Sequence, residues 1–127
     1  MNPLAIAAVG IGGALGSLLR YLFSTLWNPV APSLPLGTLA SNLAGGYLVG
    51  IAVAYFSANP DLPPEWRLLV ITGFMGGLTT FSSFSAEAVT LMSSGRYGAA
   101  LLHSSVHLLG SFAMTALGIA SYKAMAF

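Results

Sequence analysis

The sequence predicts an all-α membrane protein with four transmembrane helices per chain, and three observations support this fold class. Of the 127 residues, 56% are hydrophobic and only 6% are charged, whereas a soluble domain carries about a quarter charged residues. Four apolar segments are each long enough to cross a bilayer, which takes about 20 residues. Short connectors rich in proline, serine and glycine separate these segments. We therefore expect residues 1–127 to form a single four-span transmembrane domain.

The connectors set the limits of the four spans. Three prolines within residues 27–35 close the first span. Pro63 and Pro64 lie where a helix starts, a position that suits the fixed φ of proline, and Gly95 is typical of a helix stop. The spans are therefore predicted at about residues 4–26, 36–57, 67–92 and 97–122.

Composition excludes several classes of function. Four Lys and Arg residues against three Asp and Glu give a net charge of +1, so there is no basic patch for nucleic acid. The chain has no cysteine, which excludes disulfides, thiolate metal sites and thiol catalysis. Because the sequence also has no nucleophile–base arrangement and no phosphate-binding loop, we do not expect an enzyme.

Charges in the connectors give almost no orientation signal. Arg67 and Lys123 flank the face that holds both termini, and Arg96 flanks the other, joined by Arg20 if its side chain reaches outward. The positive-inside rule needs an excess of Lys and Arg on one face. Either the chain inserts one way on weak signals, or it inserts both ways and pairs head to tail. We favour an antiparallel, dual-topology homodimer, because four short helices are too few to enclose a polar pathway alone.

Small residues recur at a spacing of four in the first two spans. Gly12 and Gly16 form one pair, and Gly46 and Gly50 form another. Such faces let helix backbones approach closely. These pairs could pack within one chain or between subunits.

A glycine-rich stretch predicts a break in the third span. Residues 73–85 combine Gly73, Gly76 and Gly77 with Thr79, Thr80 and three serines. Glycine costs about 1 kcal/mol in a helix relative to alanine, and Ser and Thr compete for backbone hydrogen bonds. Inside a membrane, irregular backbone survives only where protein or a water-filled cavity surrounds it. The break therefore indicates an ion or substrate site, and its free carbonyls suit a hard monovalent cation.

Aromatic and amide side chains accompany this break. Phe81 and Phe84 lie three residues apart, on one face of the half-helix expected after the break. Phenyl rings have positive edges that stabilise a small anion, and the start of the half-helix near Thr80 adds partial positive charge. Asn42 lies in the middle of the second span, one turn after Thr38. Its side chain is equally suited to a hydrogen bond between helices and to a binding site.

The fourth span carries a polar stripe at four-residue spacing, formed by His103, His107, Ser111 and Thr115. We interpret it as a packed or water-lining face. Two histidines at this spacing suit a metal, but no carboxylate lies nearby in sequence, so a metal site is not expected there. Arg20 and Glu87 are predicted near one membrane face, where they either reach the interface, pair with each other or serve the site.

These residues resemble the signatures of the small bacterial fluoride channels of the Fluc/CrcB type. Residues 76–85, Gly-Gly-Leu-Thr-Thr-Phe-Ser-Ser-Phe-Ser, are similar to that family's third-helix motif. Residues 37–46 resemble its second-helix motif, and residues 12–20 resemble its first. The resemblance covers essentially the whole chain.

The resemblance implies an antiparallel dimer in the bacterial cytoplasmic (inner) membrane, with two fluoride pores. It implies a structural sodium ion at the dimer interface, held by the carbonyls of Gly76 and Thr79. Implied pore residues are Asn42, Thr80, Phe81, Phe84, Ser111 and Thr115. Implied vestibule or polar-track residues are Arg20, Thr38, Glu87, His103 and His107, of which the two histidines depart from the family's usual side chains.

The expected function is passive, selective export of fluoride from the cytoplasm, which lowers fluoride toxicity. Fluoride needs donors that replace its water, whereas fixed charge deep in a pore would trap it. One alternative is a proton-coupled small-molecule exporter. Small four-span exporters of that type carry an acidic residue in the first span, whereas this chain has none there. The other is a structural subunit of a larger membrane complex.

Overall fold

The computed structural model describes residues 1–126, which form helices joined by short connectors and contain no strand. Within these residues, four helical segments are long and apolar enough to cross a membrane, at Pro3–Val30, Leu36–Ala58, Pro64–Ser93 and Tyr97–Met125. The predicted all-helical, four-span architecture is thereby confirmed, with boundaries within a few residues of those expected. The surface is rich in exposed leucines and aromatic residues, as suits a bilayer.

Three of the segments are dominated by one long helix. Helix α1 spans Pro3–Trp27 and ends in a 3₁₀ turn at Asn28–Val30, and α2 spans Leu36–Ala58. The last helix, α6, spans Tyr97–Met125. The Asn2 side chain accepts a hydrogen bond from the Leu4 N–H at 2.8 Å and so caps the start of α1.

The third segment is composite. It begins with α3 (Pro64–Arg67), widens into a π-helix at Leu68–Met75, and narrows again to the single turn α4 (Gly76–Leu78). Residues 79–81 lie outside any helix, and α5 then runs over Ser82–Ser93. Thr79 has the φ of −89° and ψ of 157° of extended backbone. Residues 79–81 are called the gap below.

Side-chain contacts show which connectors share a face. The Asn2 amide donates to Glu65 Oε1 at 3.3 Å, which brings the N-terminus beside the connector before α3. At the other end, Arg96 donates to the hydroxyl of Ser33, joining the turn before α6 to the connector before α2. The four segments therefore run alternately up and down.

Glycines set the closest helix contacts, and they do so within the chain. A Cβ at Gly12 or Gly16 would overlap the carbonyl of Leu69 or of Phe74, so α1 lies directly on the π-helix. A Cβ at Gly50 would overlap the Thr115 carbonyl and lie 3.0 Å from the Ile119 nitrogen. Both small-residue pairs noted in the sequence thus pack inside one subunit, α1 on the third segment and α2 on α6.

Gly50→Ala should destabilise the fold, because the added methyl forces α2 away from α6. Overpacking of this kind costs about 1–3 kcal/mol, and the gain in helix propensity offsets only part of it. Gly98→Ala is the matched control, since no atom lies within 4 Å of its Cβ position. Thermal unfolding in detergent should show a lower midpoint for Gly50→Ala alone. Equal midpoints for the two variants would contradict this packing.

Candidate functional site

The gap is held by a side chain of α2. Asn42 Oδ1 accepts a hydrogen bond from the Thr80 N–H at 2.8 Å, and Asn42 Nδ2 donates to the Thr80 carbonyl at 3.0 Å. The Asn42 amide therefore bonds both the N–H and the C=O of Thr80, a residue that lies outside any helix. Since buried backbone groups need partners, this pairing makes the gap compatible with the membrane interior.

The same amide reaches the polar stripe of α6. Asn42 Nδ2 also lies 2.9 Å from His107 Nδ1. The Thr80 N–H requires an acceptor, so the amide oxygen must face Thr80 and the amide nitrogen must face His107. An amide nitrogen only donates, so His107 Nδ1 accepts, and the proton of the neutral ring resides on Nε2.

Arg20 holds the other edge of the gap. Its Nε donates to the Gly77 carbonyl at 2.9 Å. In a continuous helix that carbonyl would accept a hydrogen bond from the Phe81 N–H. The suggested pairing of Arg20 with Glu87 is wrong within this chain, because Arg20 bonds the Gly77 carbonyl and Glu87 contacts Thr38 and His103. Arg20 thus stabilises the irregular backbone.

The carbonyls of Gly76 and Thr79 also lose their helical donors at the gap. The Thr80 N–H donates to Asn42 and not to Gly76, four residues earlier. The Ser83 N–H donates to Thr80 Oγ1 at 3.0 Å and not to Thr79. The carbonyls of Gly76 and Thr79 are therefore free of the hydrogen bonds that a helix would give them.

A cavity of about 270 Å³ lies beside the gap. Its wall includes the predicted pore residues Asn42, Thr80, Phe81, Phe84 and Ser111, and no Lys or Arg among the described residues lines it. Thr115, also predicted there, instead donates through Oγ1 to the Gly46 carbonyl at 3.0 Å and is absent from the wall. The wall is thus neutral and combines aromatic rings with hydroxyls.

The aromatic residues form a continuous stack towards α6. Phe81 and Phe84 meet edge to face with ring centroids 5.6 Å apart. Phe84 also lies 4.8 Å from the His107 ring and 5.5 Å from the His103 ring. Phe81 precedes α5, so the prediction that both phenylalanines lie within the half-helix is wrong for Phe81, and 77% of Phe81 is exposed.

Behind this stack, polar side chains form a second group. Thr38 Oγ1 donates to Glu87 Oε2 at 2.7 Å, and the other carboxylate oxygen, Oε1, lies 3.3 Å from His103 Nε2. Thr38, His103 and His107 are buried, whereas Glu87 is partly exposed. The predicted vestibule residues other than Arg20 therefore lie together.

Although no carboxylate lies nearby in sequence, the fold places one beside the two histidines. Glu87, His103 and His107 each present a ligand atom within 4.8 Å of the others. These three residues are called the Glu–His cluster below. The carboxylate comes from α5, which packs against α6, so it is close in space although distant in sequence.

Sequence reasoning missed two contributors. Asn28 accepts from the Thr38 N–H at 2.9 Å and donates to Thr38 Oγ1 at 3.2 Å, so it caps the start of α2 and steadies the group that holds Glu87. Its position in the first connector, before Pro29, was the only available signal. Phe112 lines the cavity one residue beyond Ser111, outside the strict four-residue spacing.

Asn42→Ala should destabilise the backbone of the gap. Both backbone groups of Thr80 lose their partner, and each unsatisfied buried group costs about 1–3 kcal/mol. Hydrogen–deuterium exchange should show faster exchange over residues 79–83, while Asn59→Ala, which removes an amide bonded to Tyr55 at the end of α2, should leave that segment unchanged. Unchanged protection of residues 79–83 in Asn42→Ala would contradict the role given to this amide.

Comparisons with known proteins identify the family of this chain. Residues 7–119 match the family described as CrcB-like protein, Camphor Resistance (CrcB). The chain is 57% identical to a fluoride-specific ion channel FluC of Cupriavidus metallidurans, over 99% of this chain and 100% of that protein. It is 55% identical to the protein so named in Nitrosospira multiformis, over 99% and 98%, and 54% identical to that of Burkholderia pseudomallei, over 94% of each. Such similarity along nearly the full length shows that the chain belongs to the CrcB-like family.

Proposed function

We propose that this protein is a passive, selective fluoride channel that exports fluoride from the cytoplasm across the bacterial inner membrane. The observation that carries the proposal is the neutral cavity beside the gap, whose wall includes Phe81, Phe84, Thr80 and Ser111. Relatives at 53–58% identity are named as fluoride-specific channels. The proposal extends that named activity to this chain.

The chemistry of the wall suits fluoride. Fluoride is small and strongly hydrated, so a pore must replace its water with donors while binding it weakly enough to let it leave. Hydroxyl hydrogens and the positive edges of phenyl rings supply such contacts without a fixed charge. The amide hydrogens of Asn42 are engaged by Thr80 and His107, so Asn42 acts by shaping the wall and polarising it.

The pathway continues from the cavity along α6. His107 lines the cavity, and His103 follows one turn earlier beside Glu87 and Thr38. A polar track of this kind gives the ion contacts between the cavity and the membrane face. Ser111 extends the track on the cavity side, and we assign Thr115 a place at its far end, where its hydroxyl now bonds Gly46.

A second copy of the chain completes the pore. The cavity wall is open on one side, and Phe81 projects with 77% of its surface exposed. Lipid cannot offer partners to the hydroxyl groups of that wall, so we expect protein to cover it. The balanced connector charges allow the two copies to be antiparallel, which yields two pores per dimer.

We also propose a structural sodium ion at the interface of the two copies. The carbonyls of Gly76 and Thr79 lose their helical donors at the gap, and such oxygens suit a hard monovalent cation. Arg20 already occupies the Gly77 carbonyl, which leaves these two free for the ion. The interruption of the third segment would then serve both ions.

Glu87 favours one other function, a proton-coupled small-molecule exporter. It is the acidic residue farthest inside the four spans, because Asp61 lies in a connector and Glu65 lies in the first turn of the third segment. Fluoride efflux from liposomes that contain the purified dimer, followed with an electrode, separates the two functions. Rapid release that requires valinomycin and potassium, without chloride release, supports the channel. No release above that of empty liposomes would overturn it.

Phe81→Ile should abolish fluoride flux while the dimer remains folded, because an aliphatic side chain lacks the positive ring edge. Phe56→Ile is the control, since Phe56 lies near the end of α2 and away from the cavity. The measurement is the initial rate of fluoride efflux, with the elution volume as a check on folding. Equal rates for Phe81→Ile and the unaltered protein would show that this ring is not part of the pore.

Dual topology predicts that each membrane face is labelled in only part of the molecules. The chain has no cysteine, so Ser94→Cys and Ser57→Cys each introduce one thiol, at opposite ends of the bundle. An impermeant maleimide added outside intact spheroplasts should label about half of each variant if insertion is unbiased. Complete labelling of one variant and none of the other would establish a single orientation.

A further inference from the structure

We propose that the Glu–His cluster is a binding site for a divalent transition metal of the zinc type, and that the bound metal blocks the fluoride pathway. The site itself rests on the geometry of Glu87, His103 and His107. Its effect on flux rests on the proposed function.

The ligand set is one that zinc prefers. Two imidazoles and one carboxylate present atoms within 4.8 Å of one another, and small inward movements bring such atoms to zinc distances of about 2.0–2.2 Å. His103 and His107 lie one turn apart on the same face of α6, the spacing used by helical zinc sites. Three protein ligands leave a further coordination position open.

Unpartnered atoms point to a missing occupant. No hydrogen bond serves the buried atoms His103 Nδ1 and His107 Nε2, and Glu87 Oε1 and His103 Nε2 face each other at 3.3 Å without the geometry of a hydrogen bond. His103 is 0% exposed and His107 3% exposed, so bulk water does not serve these atoms. Each neutral imidazole has one lone pair, so a cation bound by one nitrogen of each histidine and by Glu87 Oε1 would remove much of the desolvation cost of these groups.

The surroundings orient the carboxylate and admit an ion. Thr38 holds Glu87 Oε2, which leaves Oε1 directed at the histidines, and Asn28 fixes Thr38 in turn. Outer contacts of this kind are typical of metal sites. Glu87 also lines a second cavity, of about 220 Å³, beside Pro32 and Pro35 in the connector before α2. That cavity gives a hydrated ion a route from the membrane face.

Metal binding by His107 conflicts with its bond to Asn42. His107 Nδ1 accepts from Asn42, so the ring proton is on Nε2. A metal at Nε2 requires the proton to move to Nδ1, and a metal at Nδ1 displaces the amide directly. Either way the Asn42–His107 hydrogen bond is lost. In addition, a divalent ion with one carboxylate leaves a net positive charge beside the pathway, and such a charge traps fluoride. Both effects predict inhibition.

Direct binding is tested on the untagged, purified dimer with Co²⁺, whose visible absorption reports tetrahedral nitrogen and oxygen coordination, and with Zn²⁺ by calorimetry. One ion per chain is expected. His103→Gln and Glu87→Gln should each weaken binding about 100-fold, while Asp61→Asn, in the exposed connector before α3, should leave it unchanged. No cobalt absorption at millimolar metal, or equal binding by His103→Gln, would overturn the site and leave water as the occupant of the cluster.

Inhibition is tested separately by fluoride efflux from liposomes with Zn²⁺ on both faces, each variant being compared with its own rate in the presence of a chelator. The unaltered protein and Asp61→Asn should lose their fluoride flux, whereas His103→Gln and Glu87→Gln should lose none. Binding without loss of flux would overturn the block while the channel function stands. Absence of flux from the unaltered protein under chelator would instead overturn the proposed function, and the cobalt measurement would still decide the site.

Discussion

The Asn42 side-chain amide bonds both the N–H and the C=O of Thr80, and the rest of the site depends on that pairing. Three residues outside a helix in the middle of a membrane segment would otherwise expose backbone groups to hydrocarbon, at a cost of several kcal/mol each. Asn42 removes that cost at the centre of the gap, and Arg20 removes it at Gly77. As a result, Phe81 lies in the gap and is exposed, whereas Phe84 lies in the first turn of α5.

The helix contacts serve the same geometry. Glycines bring α1 onto the π-helix and α2 onto α6, so that Asn42 reaches the gap on one side and His107 on the other. The neutral cavity and the Glu–His cluster are consequently two sides of one arrangement, joined through the ring of His107.

Much of this could be predicted from the sequence, because hydropathy and connector residues determine where helices cross a membrane. The glycines and hydroxyl residues of 73–85 likewise indicated where helical hydrogen bonding is weak. Partners across helices could not be predicted, because they depend on how each helix rotates about its axis. Asn42 was ambiguous for this reason, the bond of Arg20 to the Gly77 carbonyl was not foreseen, and the carboxylate of Glu87 was not recognised as a neighbour of His103. The roles of Phe84, Ser111 and the Gly76 carbonyl stay predictions.

The most direct test of this account is an experimental structure of the protein in lipid nanodiscs, determined in buffer containing sodium and fluoride. The account predicts that Asn42 bonds both backbone groups of Thr80 and that Thr79 is extended. It also predicts that an antiparallel second copy covers the cavity. A third segment that is helical without interruption from Gly76 to Ser93, or a cavity that faces lipid, would contradict it.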